Sequence, residues 1–523
     1  MKRIYTFMLL LCGIISTYAQ SLYENNPKRE VRAVWLTTIG GIDWPHSYAQ
    51  STYSIEKQKN ELRQILDQLQ KANINTVLLQ TRVRGTMIYP SNYEPWDGCL
   101  SGFPGRSPGY DALQFAIEEC HKRGMELHAW VVTIPVGKWD GLGCRTLRKK
   151  FGNLIVKIGL DGYMNPQDAR TGTYLANICR EITRNYDIDG IHLDYIRYPE
   201  TWSIKVSRER GRQYITDIVK KISYAVKTEK PWVKMSCSPI GKYCDLTRYW
   251  SHGWNAYEKV CQDAQAWLRD GLMDELFPMM YFRDNQFFPF AIDWSENNYG
   301  KIIAPGLGIY FLDPREGQWK IEDVTRQMYE LRRIHLGHTF FRNKFFVDNH
   351  QGIYDFTRND FDRYPALVPE MTWGKRVPTE IRYNLYASDT YPVDATDARN
   401  LLAIRQTRES INHIIKGVDK KYTLVTTIDR YNHEEIPEQA IHTAVSTTEL
   451  LKCDGRTLQV EEKPSTLDAK FILIETLQGT PVKTYPYNKA TIDIRNIREG
   501  IYYAKSLNSK GITHKLGMFI IKR

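Results

Sequence analysis

The sequence predicts an α/β chain, a (β/α)8 barrel of the TIM type followed by a C-terminal all-β region. Three observations carry this. From Glu30 to about Asn349, short β-branched runs alternate with amphipathic helical segments, the sequence form of βα units around a parallel sheet. Eight such runs occur, the number that closes a barrel. After about Trp373 the pattern changes to alternating strands with turn residues between them, as in small sandwiches.

In order, the strands are expected at Val31 to Ile39, Thr76 to Thr81, Glu126 to Thr133, Gly190 to Tyr195, Val233 to Ser238, Glu275 to Tyr281, Ile302 to Tyr310 and Thr339 to Val347. Helices fall between them. Ile55 to Ala72 sets Leu62, Ile65, Leu66 and Leu69 on one face, and Tyr110 to Arg123, Thr173 to Asn185 and Arg208 to Lys227 share the 3.6-residue period. The expected domains are the barrel over 27–375, a fibronectin-III-like β domain over 385–445, ending near Tyr422 to Arg430, and a C-terminal β-sandwich over 446–523.

Residues 1–19 carry Lys2 and Arg3, an apolar run from Met8 to Ile15 and the small-residue ending Thr17-Tyr18-Ala19, the pattern of a secretory signal cut after Ala19. Cys12 follows Leu11, which makes it a poor lipid-attachment cysteine. No other run reaches the roughly 18 to 20 apolar residues that span a bilayer, so no transmembrane segment is expected. The mature chain is expected to be exported, to the periplasm or cell surface of a Gram-negative bacterium.

The formal charge of +11 is modest for 523 residues and its lysines and arginines are scattered, which argues against nucleic acid as a partner. A slightly basic surface suits an anionic cell-wall polymer or charged glycan. The cysteines lack metal-site spacing, and no cofactor or metal is expected. Cys120, Cys179 and Cys237 read as small buried hydrophobes, while Cys99 with Cys144, or Cys244 with Cys261, stand open as disulfide pairs.

The most informative stretch is DGIHLDYIRYP, Asp189 to Pro199. Ile191 and Leu193 alternate with His192 and Asp194, so Asp194 falls at or just past the C-terminal end of a strand, where barrel enzymes keep their chemistry. The other strand ends add Arg32, Trp35, Gln80, Arg82, Arg84, His128, Trp130, His192, Tyr195, Arg197, Tyr198, Tyr281 and Tyr310, a mixture of rings, guanidinium forks and carboxylates suited to a carbohydrate cleft. Structural alternatives stand beside these readings. Trp35 and Trp130 can cap the barrel core, His128 and His192 can be satisfied interior histidines, and one of Arg82 and Arg84 can hold an acidic loop. Glycoside hydrolysis requires two carboxyl groups. Asp194 is the first. For the second, Asp284 ranks above Glu200, with Asp43 and Glu94 behind. No zinc HExxH, phosphate-binding loop or GxSxG elbow is present.

Five blocks in order, REVRAVWLTTIGGIDWP (Arg29 to Pro45), INTVLLQTRVRGTMIYPS (Ile74 to Ser91), SPGYDALQFAIEECHKRGMELHAW (Ser107 to Trp130), DGIHLDYIRYP and FFRNKFFVDNHQGIYDFTRNDFDRYPALVPEMTW (Phe340 to Trp373), resemble the glycosyl-hydrolase-like 10 family. The resemblance implies a (β/α)8 barrel of glycoside hydrolase type in an exported bacterial protein, with some members linked to cutting peptide-free peptidoglycan strands. It further implies Asp194 as the acidic residue of the fourth-strand motif, and Arg32, Trp35, Gln80, Arg82, His128, Trp130, His192, Tyr195 and Arg197 as cleft-lining positions. Two departures stand out. Val132-Thr133-Ile134-Pro135 replaces an Asn-Pro-Tyr common after the third strand, and Tyr195 follows Asp194 where some members have a second acidic residue. The expected function is cleavage of O-glycosidic bonds in a polysaccharide, with peptidoglycan glycan strands one candidate. A non-catalytic glycan-binding or wall-tethering role is the alternative.

Overall fold

A computed structural model describes residues 26–439, 451–460, 469–477, 479–487, 491–509 and 513–522. The expected signal at 1–19, residues 440–445 of the expected fibronectin-III-like domain, and residues 446–450, 461–468, 478, 488–490, 510–512 and 523 of the last expected domain lie outside them. The chain divides into two compact units, one running to Ile436 and the other starting at Pro437.

Eight strand positions build the parallel sheet of the first unit: β1 (Arg32–Leu36), β2 (Thr76–Val83), β3 (Glu126–Val132), β4 (Gly190–Asp194), β5 (Lys234–Cys237), β6 (Glu275–Leu276), β7 (Ile302–Ile303 with Gly306–Leu307) and β8 (His338–Phe340). Parallel pairing passes from β1 to β2, β3, β4, β5, β6 and the first half of β7. The second half of β7 pairs with β8, and β8 returns to β1, so the fold is TIM-like. Helices α1 (Thr52–Lys71), α2 (Ala112–Lys122), α3 (Ala169–Asn185), α4 (Arg208–Glu229), α5 (Ala264–Arg269), α6 (Phe288–Glu296), α7 (Ile321–Arg333) and α8 (Asn343–Val347) follow the strands in turn.

Local sequence accounts for these elements. Ser51 caps α1 and exchanges hydrogen bonds with Ser54, and Asp111 and Asp168 cap α2 and α3 with their carboxylates. The strands are buried on both faces, as parallel strands are when helices cover them. Alternation then sorts the side chains. Val34, Leu36, Val77, Leu79, Ile191 and Leu193 join the helices in one large core, and Ala33, Trp35, Leu78, Trp130, Val132 and Phe277 form a separate core inside the barrel. Two glycines make room for interior rings. A Cβ on Gly190 would lie 2.6 Å from the His128 ring, and one on Gly306 would lie 2.8 Å from Trp35.

β6, β7 and β8 depart from their expected extents, each for a local reason. β6 ends at Leu276 rather than Tyr281, close before Pro278, and β7 is interrupted before Pro305, because proline brings no N–H to a ladder. β8 ends at Phe340 instead of Val347, since Asn343–Val347 turns helical and buries Phe345 and Phe346.

Among the described residues, the span expected as a fibronectin-III-like domain carries a four-stranded antiparallel sheet within the barrel's own unit. Its order is Leu401–Gln406, Arg382–Ser388, Tyr422–Ile428, Glu434–Glu435. No second sheet is needed to cover it, because Tyr386, Leu401 and Leu424 pack with Leu367 from the end of the barrel domain. The second unit carries a three-stranded and a four-stranded antiparallel sheet around Leu458, Ile472, Ile474, Ile494 and Leu516. All eight cysteines among the described residues are free thiols, so neither disulfide left open by the sequence forms.

The N-terminal ends of the strands are closed by charge. Glu126 on β3 meets Lys234 on β5 at 2.7 Å and Arg405 from the antiparallel sheet at 2.8 Å, while Arg405 also reaches Asp189 at 2.7 Å. Burial alone would raise the Glu126 and Asp189 carboxyls, but these cations hold both below the usual range. Glu275 on β6 forms no ion pair with a lysine or arginine among the described residues. Neither of its carboxyl oxygens finds a hydrogen-bond partner among them, His128 stands 3.8 Å away, and burial outweighs the lowering pull of His128 and Lys234 and lifts its pKa to about 7. Between 4.5, its ordinary value, and about 7, the folded state therefore keeps a proton that the unfolded chain has released, and stability falls as pH rises through this window. Glu275→Gln is expected to remove that slope, worth up to about 3 kcal/mol. Urea unfolding of both proteins at pH 5 and pH 8 checks it; parallel pH dependence in the two contradicts it.

Candidate active site

Alternation along β4 sends His192 and Asp194 into the barrel, and Asp194, its last residue, stands at the C-terminal end. Neighbouring strands hold its carboxylate. Trp130 on β3 donates Nε1–H to Oδ2 at 3.2 Å, while Ser238 just after β5 and the backbone N–H of Tyr195 donate to Oδ1 at 2.9 and 2.8 Å. Thr133 fixes the Asp194 carbonyl through its own N–H and hydroxyl. Three donors on one carboxylate fix its orientation.

One layer below, Trp35 donates Nε1–H to His192 Nε2 at 3.2 Å, which leaves Nδ1 to donate to Ser236 Oγ at 3.0 Å. Burial, with His128 nearby, drives the His192 pKa well below the usual imidazole value, so this ring is neutral. Its role is to support Trp35 and Trp130, both within 6.4 Å of it ring to ring.

After β4 the chain turns through Tyr195, whose φ of +53° is left-handed. Arg197 then comes back over the site. Its Nη2 meets Glu200 Oε1 at 2.9 Å, its Nη1 stands 3.9 Å from Asp194 Oδ1, and its guanidinium lies 4.0 Å from the Tyr195 ring centroid. Nη1 and Nε of this buried arginine have no hydrogen-bond partner among the described residues, and neither does the buried hydroxyl of Tyr281. Burial and neighbouring Tyr310 push the Tyr281 phenol well above its usual range, so it stays protonated. Tyr281, Tyr310, Phe341 and Trp35 form one aromatic wall with centroids 5.2–5.9 Å apart. Tyr198 is fully buried.

The remaining candidates occupy other places. Arg32 is buried against Glu30 and Asp362 at the N-terminal ends of the strands. His128 binds Glu126 there at 3.1 Å. Arg82 forms a two-pronged pair with Glu94, at 2.9 and 2.6 Å, and also donates to the Val132 and Thr133 carbonyls, so it ties the loop after β2 to β3. Gln80 accepts from the N–H groups of Thr38 and Ile39. Asp43 joins Thr37 to Arg342 and Lys344. Arg84 is exposed on a cleft of 860 Å³ beside the β1, β2 and β3 loops, and Asp284 is exposed past β6 with Arg326 3.9 Å away. Glu30, His338 and Asp362 have the spacing of metal ligands, but Arg32 and Arg332 already supply their positive charge.

The geometry defines a barrel with one firmly held carboxylate at the C-terminal ends of its strands, walled by aromatics and overlain by an arginine. The chain belongs to the glycosyl-hydrolase-like 10 family, which it matches over residues 30–206 and 205–311. It is 27% identical over 501 residues to the glycosyl hydrolase YngK of Bacillus subtilis, covering 83% of this chain and 97% of that one. It is 28% identical over 324 residues to the glycosyl hydrolase DigH of Escherichia coli K12, covering 52% of this chain and 73% of that one. Among solved structures it is similar to the PgaB glycoside hydrolase domain of Bordetella bronchiseptica, with TM-score 0.44 and 13% identity over 63% of this chain and 98% of that one.

Proposed function

We propose that this chain is an exported glycoside hydrolase that cleaves a polysaccharide, with peptide-free peptidoglycan strands as its first candidate substrate. The observation that carries the reading is Asp194, at the end of β4, with three donors on its carboxylate and aromatic rings around it. An anion so held suits attack on, or charge stabilisation at, an oxocarbenium-like centre. The basic, apolar and small-residue sequence of 1–19 supports export.

For the second carboxyl we assign Glu200. A single guanidinium links it to Asp194, which limits their separation to at most about 9 Å, within reach of an inverting arrangement that leaves room for water. Its side chain is 41% exposed, so a water or a leaving oxygen can meet it. Of the other candidates, Asp284 faces Arg326, Asp43 is paired with Arg342 and Glu94 with Arg82. Glu200→Gln is expected to lower kcat/KM by about 10²- to 10⁴-fold with an unchanged melting midpoint, as loss of general acid or base catalysis does. Asp284→Asn is expected to stay within a few-fold of native. The reverse ranking would transfer the assignment to Asp284. Incubation with peptide-free peptidoglycan strands and with plant and host glycans, following reducing ends, tests the function. Retention of glycan without release by the native protein would make the site a binding module.

A further inference from the structure

The loop after β5, residues 238–263, carries two outward-facing indoles. Trp250 is 86% exposed and Trp254 43% exposed, whereas Trp35, Trp44, Trp267 and Trp294 are fully buried. Neither exposed indole meets another ring among the described residues. The loop around them is firmly built. Leu246 and Ser251 pair through two backbone hydrogen bonds of 2.8 and 3.1 Å, and Trp250 N–H donates to the Thr247 carbonyl. Asp245 accepts from the Gly253 N–H at 3.0 Å and from Asn255 at 3.3 Å. Ser251 Oγ reaches the Asn285 carbonyl at 3.2 Å, Lys242 binds the Gln286 side chain, and Arg248 pairs with Glu296 at 2.9 Å. The loop is thus tied to the segment that follows β6. Trp250 itself holds a left-handed φ of +54°, a conformation a bulky residue rarely adopts without a constraint on its surroundings.

This combination serves no packing purpose. A large ring on an anchored loop is a preformed surface, and its negative π face suits the C–H edges of a flat pyranose. The loop also starts beside the site, since Ser238 at its beginning donates to Asp194. We infer that Trp250, with Trp254 beside it in sequence, forms an outlying glycan platform that stacks on a pyranose ring of a polysaccharide chain whose scissile bond lies over Asp194. The platform rests on the glycan-acting reading of the site, and makes the substrate a polymer rather than a short oligosaccharide.

Its test separates the two. In an Asp194→Asn background, retention on insoluble peptide-free peptidoglycan strands is measured for Trp250, Trp250→Phe and Trp250→Ala. In the cleaving background, initial rates are measured on the strands and on a disaccharide glycoside. Trp250→Ala is expected to bind the strands two- to tenfold more weakly, Trp250→Phe to recover most of the loss, and disaccharide turnover to stay unchanged. Strand retention by Trp250→Ala equal to that of its parent overturns the platform while leaving the site reading intact. An equal fall in disaccharide turnover overturns it too, because the residue then acts within the site. If the native protein releases nothing, the retention arm still decides the question, and absence of retention by every variant overturns the platform.

Discussion

Asp194→Asn is expected to lower glycan turnover by at least about 10³-fold, roughly 4 kcal/mol of transition-state stabilisation, while the barrel persists. The substitution keeps the shape of the side chain and removes its charge. The amide oxygen can still accept from Tyr195 N–H and Ser238. Its amino group must then face the Trp130 N–H, a donor facing a donor, so a loss of about 1–2 kcal/mol in folding stability is expected beside the kinetic loss. Kinetics and urea unfolding of one preparation separate the two. Full unfolding of the variant would mean that Asp194 is a structural anchor.

The second large effect is on stability. Arg405→Met leaves Glu126 and Asp189 buried beside each other with one shared cation gone, and unpairing a buried charge network of this kind costs about 3–5 kcal/mol. Chemical denaturation is the measurement. The network lies at the N-terminal ends of the strands, opposite Asp194, so turnover per folded molecule is expected to stay native. A variant as stable as native would contradict the structural role assigned to Arg405.

Much of this was legible in the residues, for reasons that also explain what was not. Parallel strands with β-branched cores and capped helices are local signals, and they located eight strand positions. The alternation of Ile191, His192, Leu193 and Asp194 places Asp194 at or just past a strand's C-terminal end, and Asp194 is the last residue of β4. Strand ends differ from the expectation where proline or a helical turn intervenes, as at Pro278, Pro305 and Asn343. In the span expected as a fibronectin-III-like domain, a strand pattern does not say what packs on the sheet's buried face; Leu367 packs there. Arg32 and His128 carry residue types at home in a cleft, yet their partners Asp362 and Glu126 fix them at the other end of the barrel. Ser238 was visible as a strand-end residue, but its hydrogen bond to Asp194 depends on which strands are neighbours. Arg405 had no signal, since its partners lie 216 and 279 residues away.

The measurement that bears most directly on the whole account is release of reducing ends from peptide-free peptidoglycan strands by the native protein beside Asp194→Asn, with both shown to be folded. The account predicts steady release by the native protein and at least a thousandfold less by the variant. Equal release by the two would contradict it, because the chemistry would then belong to another residue.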